Sequence, residues 1–235
     1  MSEVLLRTQG LTRTLAGEVP VTLVKDVDLE IRQGEFVAIT GPSGSGKSSL
    51  LYLLGLLDQP TGGTLWLEGT ETSQLSENEL ADIRLARLGF VFQANFLLPE
   101  FSARENVLLP IERLGHLTPA EADNRARQLL IDLGLESQIE KKPHQMSGGQ
   151  SQRVAIARAL ANEPSIIFAD EPTGNLDTAS SAVVQNILQD LSKKRGRTVL
   201  AVTHDPAFAA KCDRIIRIVD GKIEKPAIPA ARSSS

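Results

Sequence analysis

The stretch GPSGSGKSS at residues 41–49 decides the fold class. It follows a short apolar run, FVAI at residues 36–39, and precedes an apolar segment, residues 50–57, with helical character. This is the pattern G-x-x-x-x-G-K-[ST] in a strand–loop–helix setting, which is typical of a phosphate-binding loop. The glycines let backbone N–H groups turn inward around phosphate oxygens, and the following helix N-terminus favours the same anion. The alternative is a glycine- and serine-rich loop that contains a lysine by chance.

Composition and charge narrow the class of protein. The 235 residues suit one large domain, or one domain with an insertion. A net charge of −4 and a pI near 5.5 argue against a broad nucleic-acid-binding face. The single cysteine, Cys212, excludes an intrachain disulfide and fits a reducing compartment. The N-terminus lacks the basic-then-apolar order of residues in a signal peptide. No apolar run approaches the ~20 residues that span a bilayer. A role at a membrane therefore requires another chain to supply the span.

The order of apolar runs and turn signals favours an α/β fold with a mostly parallel sheet. Capping boxes at Ser76 and Thr118 predict helix starts. Gly62-Gly63 and Glu68-Gly69 are taken as turns between strands. The predicted strands are residues 4–6, 21–31, 36–40, 64–68, 90–92, 166–169 and 199–203, with a closing hairpin at 215–219 and 222–223. Residues 94–161 carry helical patterns only and predict an inserted helical subdomain, whereas residues 226–235 predict a mobile tail.

A second candidate site lies where the apolar run SIIFA, residues 165–169, ends in Asp170 and Glu171. Ligands of parallel sheets lie outside the carboxyl ends of the strands, so Asp170 is expected beside the phosphate loop, where it can hold Mg²⁺ through water. Glu171 points elsewhere and can orient a water for in-line attack on a γ-phosphate. The alternative is that the two acids form a solvated turn.

A third candidate site begins at Ser147, in MSGGQ at residues 146–150. Ser147 is placed to cap a long helix, and the exposed N–H groups there form a second anion site. A helix cap with a flexible entry explains the local pattern equally well. However, the chain then has two phosphate cradles and one set of Mg²⁺ and water ligands. A two-fold dimer explains this economically, because each second cradle can close on the nucleotide held by the other copy.

The chain resembles the nucleotide-binding subunit of an ATP-binding cassette (ABC) transporter from about residue 4 to residue 222. GPSGSGKSS resembles Walker A, SIIFADEP resembles Walker B, and MSGGQ resembles the family signature. Gln93 matches the Q-loop glutamine, residues 175–177 match the D-loop, and His204 matches the switch histidine. The resemblance implies a P-loop NTPase core with an antiparallel β subdomain and a helical insertion. It places one ABC domain at residues 4–225, with the insertion at about residues 94–161.

The resemblance also implies the ligands and the role of each site residue. The ligands are ATP and Mg²⁺, with Ser48, Gln93 and Asp170 at the metal. Glu171 is the catalytic base, with His204 and Gln93 as its partners in catalysis. Outside this set of motifs, Gln93 is better explained as a polar residue at a strand end, and His204 as a loop histidine with satisfied hydrogen bonds. The implied nucleotide contacts are Gly41, Ser43, Gly44, Ser45, Gly46, Lys47, Ser48, Ser49, Ser147, Gly148, Gly149, Gln150 and Asp177.

Some longer stretches resemble one branch of the family, the lipoprotein-release and macrolide-export branch (LolD/MacB). They include GFVFQANFLLP at residues 89–99 and ADEPTGNLD at 169–177. The implied partners are a second copy of the chain and an integral membrane permease, with no nucleic acid. The implied location is cytoplasmic, on the inner face of the inner membrane through the permease. Alternatives are the ATPase of a solute importer and a non-transport ABC ATPase. A pure nucleotide-binding regulator would lack the hydrolytic residues.

Two further segments bear on how the base and a partner are held. No aromatic residue precedes Phe36, and Leu15 falls about where the family stacks the adenine on an aromatic ring, so the base is expected to be held weakly. Residues 96–101, FLLPEF, are unusually apolar for a loop. They either receive a helix of the permease or form the core of the helical subdomain. Ser151, after the signature, has no functional interpretation.

Overall fold

A computed structural model describes residues 3–224, and the predicted mobile tail at 226–235 lies outside the described residues. In chain order, the strands are β1 Val4–Leu15, β2 Val21–Arg32, β3 Phe36–Thr40, β4 Gly62–Leu67, β5 Thr70–Glu71, β6 Leu88–Phe92, β7 Ile166–Asp170, β8 Thr198–Val202, β9 Arg214–Val219 and β10 Lys222–Ile223. The α-helices are α1 Lys47–Leu54, α2 Glu77–Arg87, α3 Ala103–Leu114, α4 Pro119–Asp132, α5 Gly148–Ala159, α6 Thr178–Lys193 and α7 Pro206–Ala209. Short 3-10 turns lie at 72–74, 136–138 and 143–145.

The strands form two sheets. The larger has the order β10-β9-β3-β8-β7-β6, and all its neighbours are parallel except the closing β9–β10 hairpin. The smaller has the order β2-β1-β4-β5 and is antiparallel. Residues 93–165 hold α3, α4, α5 and two 3-10 turns, with no strand in this fully described stretch. The predicted α/β class, with an antiparallel subdomain and a helical insertion, is therefore confirmed.

The larger sheet is covered on both faces. Along β8, Val199 and Ala201 join one buried cluster with the helical insertion and α6, while Leu200 and Val202 join a second cluster with α1 and the smaller sheet. Each fully buried valine or leucine among them stabilises the fold by about 1.5–3 kcal/mol. Two-sided burial explains why these parallel strands read as continuous apolar runs in the sequence.

Two local predictions were wrong. Gly62-Gly63 is not a turn but the start of β4, where a Cβ on Gly63 would lie 2.2 Å from the carbonyl oxygen of Gly10. The glycine is needed because β1 passes this close, and the pairing of β1 with β4 is irregular there. The strand predicted at residues 4–6 extends to Leu15. By contrast, Glu68 and Gly69 have φ of +48° and +79° and form the predicted tight turn, β4 to β5.

The predicted helix caps agree with the structure. Ser76 and Thr118 each accept a hydrogen bond from the backbone N–H three residues on, and complete capping boxes with Glu79 and Glu121. Cys212 is partly buried, and burial raises the pKa of its thiol to about 12. A thiol with so high a pKa is protonated at neutral pH and is a poor nucleophile.

Candidate active site

Three glycines shape the loop between β3 and α1. Gly41, Gly44 and Gly46 have φ of +149°, +75° and +97°. A Cβ on Gly41 would lie 2.0 Å from the carbonyl oxygen of Ile218, and one on Gly46 would lie 2.1 Å from that of Leu23. No side chain fits at either position, since the loop is enclosed between β9 and β2. The conformation that directs backbone N–H groups inward therefore depends on these glycines.

The polar groups of the loop suit an anion. Helix α1 begins at Lys47 without a side-chain cap and without an acidic residue in its first turn, so its N–H groups are available to phosphate. Lys47 Nζ donates to the carbonyl oxygen of Gly41 at 3.0 Å. Ser45 Oγ is buried and has no hydrogen-bond partner among the described residues. Ser43 is exposed and Ser49 is half-buried.

Asp170, the last residue of β7, meets α1 directly. Ser48 Oγ donates to Asp170 Oδ1 at 2.9 Å, and the Tyr52 hydroxyl donates to Oδ2 at 2.7 Å. Asp170 is only 8% exposed, so these two hydroxyls replace water around its carboxylate. Burial first, and then the hydrogen bond and charge of Asp170, raises the pKa of Tyr52 to about 12. The sequence predicted that Asp170 lies beside the loop. It gave no prediction for Tyr52, although Tyr52 lies one helical turn after Ser48.

Glu171 and His204 come from the ends of adjacent strands. His204 Nδ1 lies 2.9 Å from Glu171 Oε2. The Glu171 side chain is 19% exposed, whereas the imidazole is 74% exposed and open to a ligand. The backbone of Glu171 has a φ of +47°, in the left-handed region, while its N–H donates to the carbonyl oxygen of Val202. This conformation, which non-glycine residues seldom adopt, directs Glu171 away from Asp170 and towards His204.

Gln93 lies just beyond β6 and contacts the segment that precedes α6. Its Nε2 donates to Asn175 Oδ1 at 3.0 Å, and Asn175 Nδ2 donates back to the Gln93 carbonyl oxygen at 3.3 Å. Gln152, on α5, is buried and bridges the same region, since its Nε2 donates to the carbonyl oxygens of Phe92 and Pro172. Side-chain amides therefore join the Gln93 segment, the signature helix α5 and the residues that follow the strand-end acids. Gln152 had no predicted role, because its partners are distant in sequence.

The signature segment starts α5. Ser147 is the N-cap: its Oγ accepts from the Gln150 N–H at 3.2 Å, and Gln150 Oε1 accepts from the Ser147 N–H at 2.9 Å. Ser147 and Gly148 are exposed, so this helix N-terminus is open to solvent. Gly149 is buried, and a Cβ there would lie 2.5 Å from Ser180 Oγ. Ser151, which had no interpretation, is a buried small residue on α5.

Asp177 caps the helix that packs on the signature. Asp177 Oδ1 accepts from the Ser180 N–H at 2.9 Å, and Oδ2 accepts from Ser180 Oγ at 2.7 Å. The backbone N–H and then the hydroxyl of Ser180 lower the pKa of Asp177. Asp177 is exposed, and its contacts within the chain are those of a helix cap. Its predicted position at a dimer interface stays a prediction.

The fold and this arrangement define the class of protein as a P-loop nucleoside triphosphatase with a helical insertion. The sequence pattern of the family described as ABC transporter matches residues 24–174. The chain belongs to the ABC transporter family, and the resemblance drawn from its motifs is confirmed. It is an ATP-binding and ATP-hydrolysing subunit of that family.

Curated relatives narrow the branch. The chain is 49% identical to lipoprotein-releasing system ATP-binding protein LolD 1 of Chlorobium chlorochromatii, over 89% of this chain and 85% of that protein. It is 48% identical to LolD 2 of Caulobacter vibrioides, over 95% of this chain and 98% of that protein. It is 50% identical to macrolide export ATP-binding/permease protein MacB of Marinobacter nauticus, over 93% of this chain but 34% of that protein. The predicted LolD/MacB branch is confirmed.

A solved structure agrees with the fold throughout. The ATP-binding cassette MJ0796, in a dimeric post-hydrolysis state with ADP and Pi, is 43% identical. It superposes with a TM-score of 0.87 over 94% of this chain and 97% of the other. Among residues 3–224, no helix is long and apolar enough to cross a membrane.

Proposed function

We propose that this chain hydrolyses ATP as a head-to-tail dimer and powers a membrane permease of the lipoprotein-release type. The hydrolytic part of the proposal rests on the side chains at the ends of β7 and β8. Ser48 and Asp170 are in contact beside the phosphate loop, and Glu171, the residue after Asp170, contacts His204. We take residues 4–225 as one ABC domain, with residues 94–161 as its helical insertion.

The metal ion proposed to bind beside Ser48 and Asp170 is Mg²⁺. Magnesium prefers oxygen ligands, and the hydroxyl of Ser48 and the carboxylate of Asp170 already lie 2.9 Å apart. Gln93, just beyond the end of the neighbouring strand β6, would supply an amide oxygen. Within residues 3–224, no group of three or more His, Cys, Asp or Glu residues is placed to hold a metal ion. When bound, Mg²⁺ neutralises charge on the phosphate oxygens.

The proposed hydrolysis uses Glu171 as the base. Glu171 accepts a proton from the water whose oxygen bonds to the γ-phosphorus as the bond to the leaving ADP oxygen breaks. His204 orients the Glu171 carboxylate and contacts the γ-phosphate with its exposed ring. Lys47 releases the carbonyl oxygens of its own loop and reaches the phosphates. The remaining loop contacts are backbone N–H groups.

The dimer follows from the second anion-binding helix end. The capped N-terminus of α5 exposes Ser147 and Gly148, although the phosphate loop already provides one complete cradle. We propose that residues 147–150 close over the γ-phosphate held by the other copy, with Asp177 at the same interface. The similar cassette MJ0796 has been solved as a dimer, which supports this assembly.

The permease and the location rest on the relatives. LolD proteins belong to a lipoprotein-releasing system, and we propose the same system here, with the chain held on the inner face of the inner membrane through its permease. Two rivals are an export system of the MacB type, supported by the 50% identity to that protein, and a solute importer.

The test isolates the permease complex. The Glu171→Gln variant, trapped with ATP, is purified from membranes, and the partner is identified and reconstituted in proteoliposomes that contain an acylated lipoprotein. ATP-dependent release of that lipoprotein to a soluble acceptor is expected from the wild-type complex. A partner with many spans that moves a solute instead would overturn the lipoprotein assignment. Release of a macrolide without release of lipoprotein would favour the MacB rival.

A further inference from the structure

Tyr52 and Ser48 together hold the carboxylate of Asp170, the proposed metal ligand. The two residues are four apart on α1, so their side chains share one face of the helix. Ser48 Oγ donates to one oxygen of Asp170 at 2.9 Å, and the Tyr52 hydroxyl donates to the other at 2.7 Å. Both carboxylate oxygens of Asp170 are therefore held by hydrogen bonds, which fixes the orientation of the carboxylate plane.

The ring of Tyr52 contacts the second strand end of the proposed metal site. It meets Phe92 edge-on, with ring centroids 6.4 Å apart. Phe92 is the last residue of β6 and immediately precedes Gln93. The Phe92 carbonyl oxygen is held in turn by Gln152. Tyr52 thus touches both elements that would bring a metal ligand, one through its hydroxyl and the other through its ring.

We propose that Tyr52 is a positioning residue for Mg²⁺, which orients Asp170 through its hydroxyl and steadies the start of the Gln93 segment through its ring. The inference rests on the proposed function, since that function places Mg²⁺ at Asp170. Partners that hydrogen-bond a ligating carboxylate contribute about 10–100-fold to metal affinity or activity. A tyrosine that only satisfies its own hydroxyl would affect stability and leave metal affinity unchanged.

The first experiment measures metal binding without turnover. Mn²⁺ is titrated into protein with the non-hydrolysable analogue AMP-PNP, and free Mn²⁺ is read by electron paramagnetic resonance. Tyr52→Phe keeps the ring and removes the hydroxyl, so its Mn²⁺ dissociation constant should rise about tenfold or more. Its affinity for AMP-PNP in EDTA should stay within twofold of wild type. Tyr52→Leu also removes the ring contact and should raise the constant further.

The control removes a comparable hydroxyl elsewhere. Thr8→Val deletes a buried hydrogen bond to the carbonyl oxygen of Val27, 2.8 Å long, in the antiparallel sheet. It should lower stability and leave the Mn²⁺ constant unchanged. If Tyr52→Phe and wild type bind Mn²⁺ equally, the positioning role is wrong while the proposed function stands. If wild type with AMP-PNP binds no Mn²⁺, the proposed metal site itself fails.

A second readout observes Tyr52 without replacing it. Tyr52 is the only tyrosine of the chain, so 3-fluorotyrosine gives a single ¹⁹F resonance. Mn²⁺ with AMP-PNP should broaden that resonance strongly, because the paramagnetic ion would lie beside the carboxylate that the ring hydroxyl contacts. Mg²⁺ with AMP-PNP should shift it, and Asp170→Ala should abolish both effects. A resonance that neither metal alters, in protein that binds Mn²⁺, would overturn the inference.

Discussion

His204 Nδ1 lies 2.9 Å from Oε2 of Glu171, a residue held in the left-handed backbone region at a φ of +47°. The two residues follow neighbouring parallel strands, β7 and β8, so their backbones are fixed by the centre of the sheet. The unusual φ separates the direction of Glu171 from that of Asp170, although the two are adjacent in sequence. The proposed metal binding by Asp170 and the proposed water activation by Glu171 therefore do not compete for one position.

Glu171→Gln tests the base. The amide keeps the size and the contact to His204 but cannot accept a proton, so steady-state hydrolysis should fall at least a hundredfold while ATP binding is retained. The ATP-bound dimer should accumulate on size-exclusion chromatography. Glu136→Gln makes the same change at an exposed position near α4 and should leave turnover unchanged. Normal hydrolysis by Glu171→Gln would refute the assignment of the base.

Much of this geometry could be predicted from the sequence, because buried parallel strands leave a simple signal. The apolar runs predict β3 and β7 to within one residue, and the strand end at Asp170 predicts the position of Asp170 beside the phosphate loop. Helix starts at Ser76 and Thr118 were equally clear, since a capping box is a local pattern.

Contacts that depend on tertiary packing could not be predicted. Strand β1 mixes polar and apolar residues and pairs irregularly with β2, so only its first residues gave a strand signal. The start of β4 at Gly62-Gly63 reads as a turn until the approach of Gly10 is known. The contacts of Tyr52 and Gln152 join segments 118 and 60 residues apart, for which sequence spacing carries no signal.

Leu15→Tyr tests how the base is held. Leu15 is the last residue of β1, is 43% exposed, and pairs with the exposed Val21 of β2. An aromatic ring in its place should add stacking worth about 1–3 kcal/mol, which tightens ATP binding by about one to two orders of magnitude. The measurement is competition against a fluorescent nucleotide. Val183→Tyr, at a similarly exposed position on α6, should not tighten binding. An unchanged affinity in Leu15→Tyr would show that the base lies elsewhere.

Gly149→Ala tests the packing of the signature helix on α6. The added Cβ would lie 2.5 Å from Ser180 Oγ and 2.8 Å from Ser180 Cβ, so one helix must shift. We expect a loss of about 1–3 kcal/mol in the free energy of unfolding, read as a lower Tm. Gly148→Ala is the matched control, since its nearest neighbour, Leu176, would lie at an ordinary 3.7 Å.

The Ser180→Gly background separates this clash from a general intolerance of alanine in the helix. Removing the Ser180 side chain clears the space, so Gly149→Ala should cost less there, with an interaction energy of about 0.5–3 kcal/mol in the double-mutant cycle. Equal costs of Gly149→Ala in both backgrounds would contradict the steric explanation.

Phe96→Asp tests the apolar loop as the docking surface of the permease. Phe96 is 64% exposed, Leu98 and Phe101 are also exposed, and Leu97 is buried, so the loop is anchored while most of its apolar side chains face solvent. Arg158 holds the backbone by donating to the carbonyl oxygen of Phe96 at 2.6 Å. This arrangement favours docking over a role as the core of the helical subdomain.

The substitution suits the site, because Phe96 has a φ of +47°, a conformation that aspartate adopts more readily than phenylalanine. We therefore expect normal folding and normal Mg²⁺-dependent nucleotide binding, with at least a tenfold weaker association with the permease in detergent. Leu117→Asp, an exposed apolar position between α3 and α4, serves as the control and should leave that association unchanged. If Phe96→Asp weakened nucleotide binding and permease association equally, the loop would be part of the nucleotide site's support and not a docking surface.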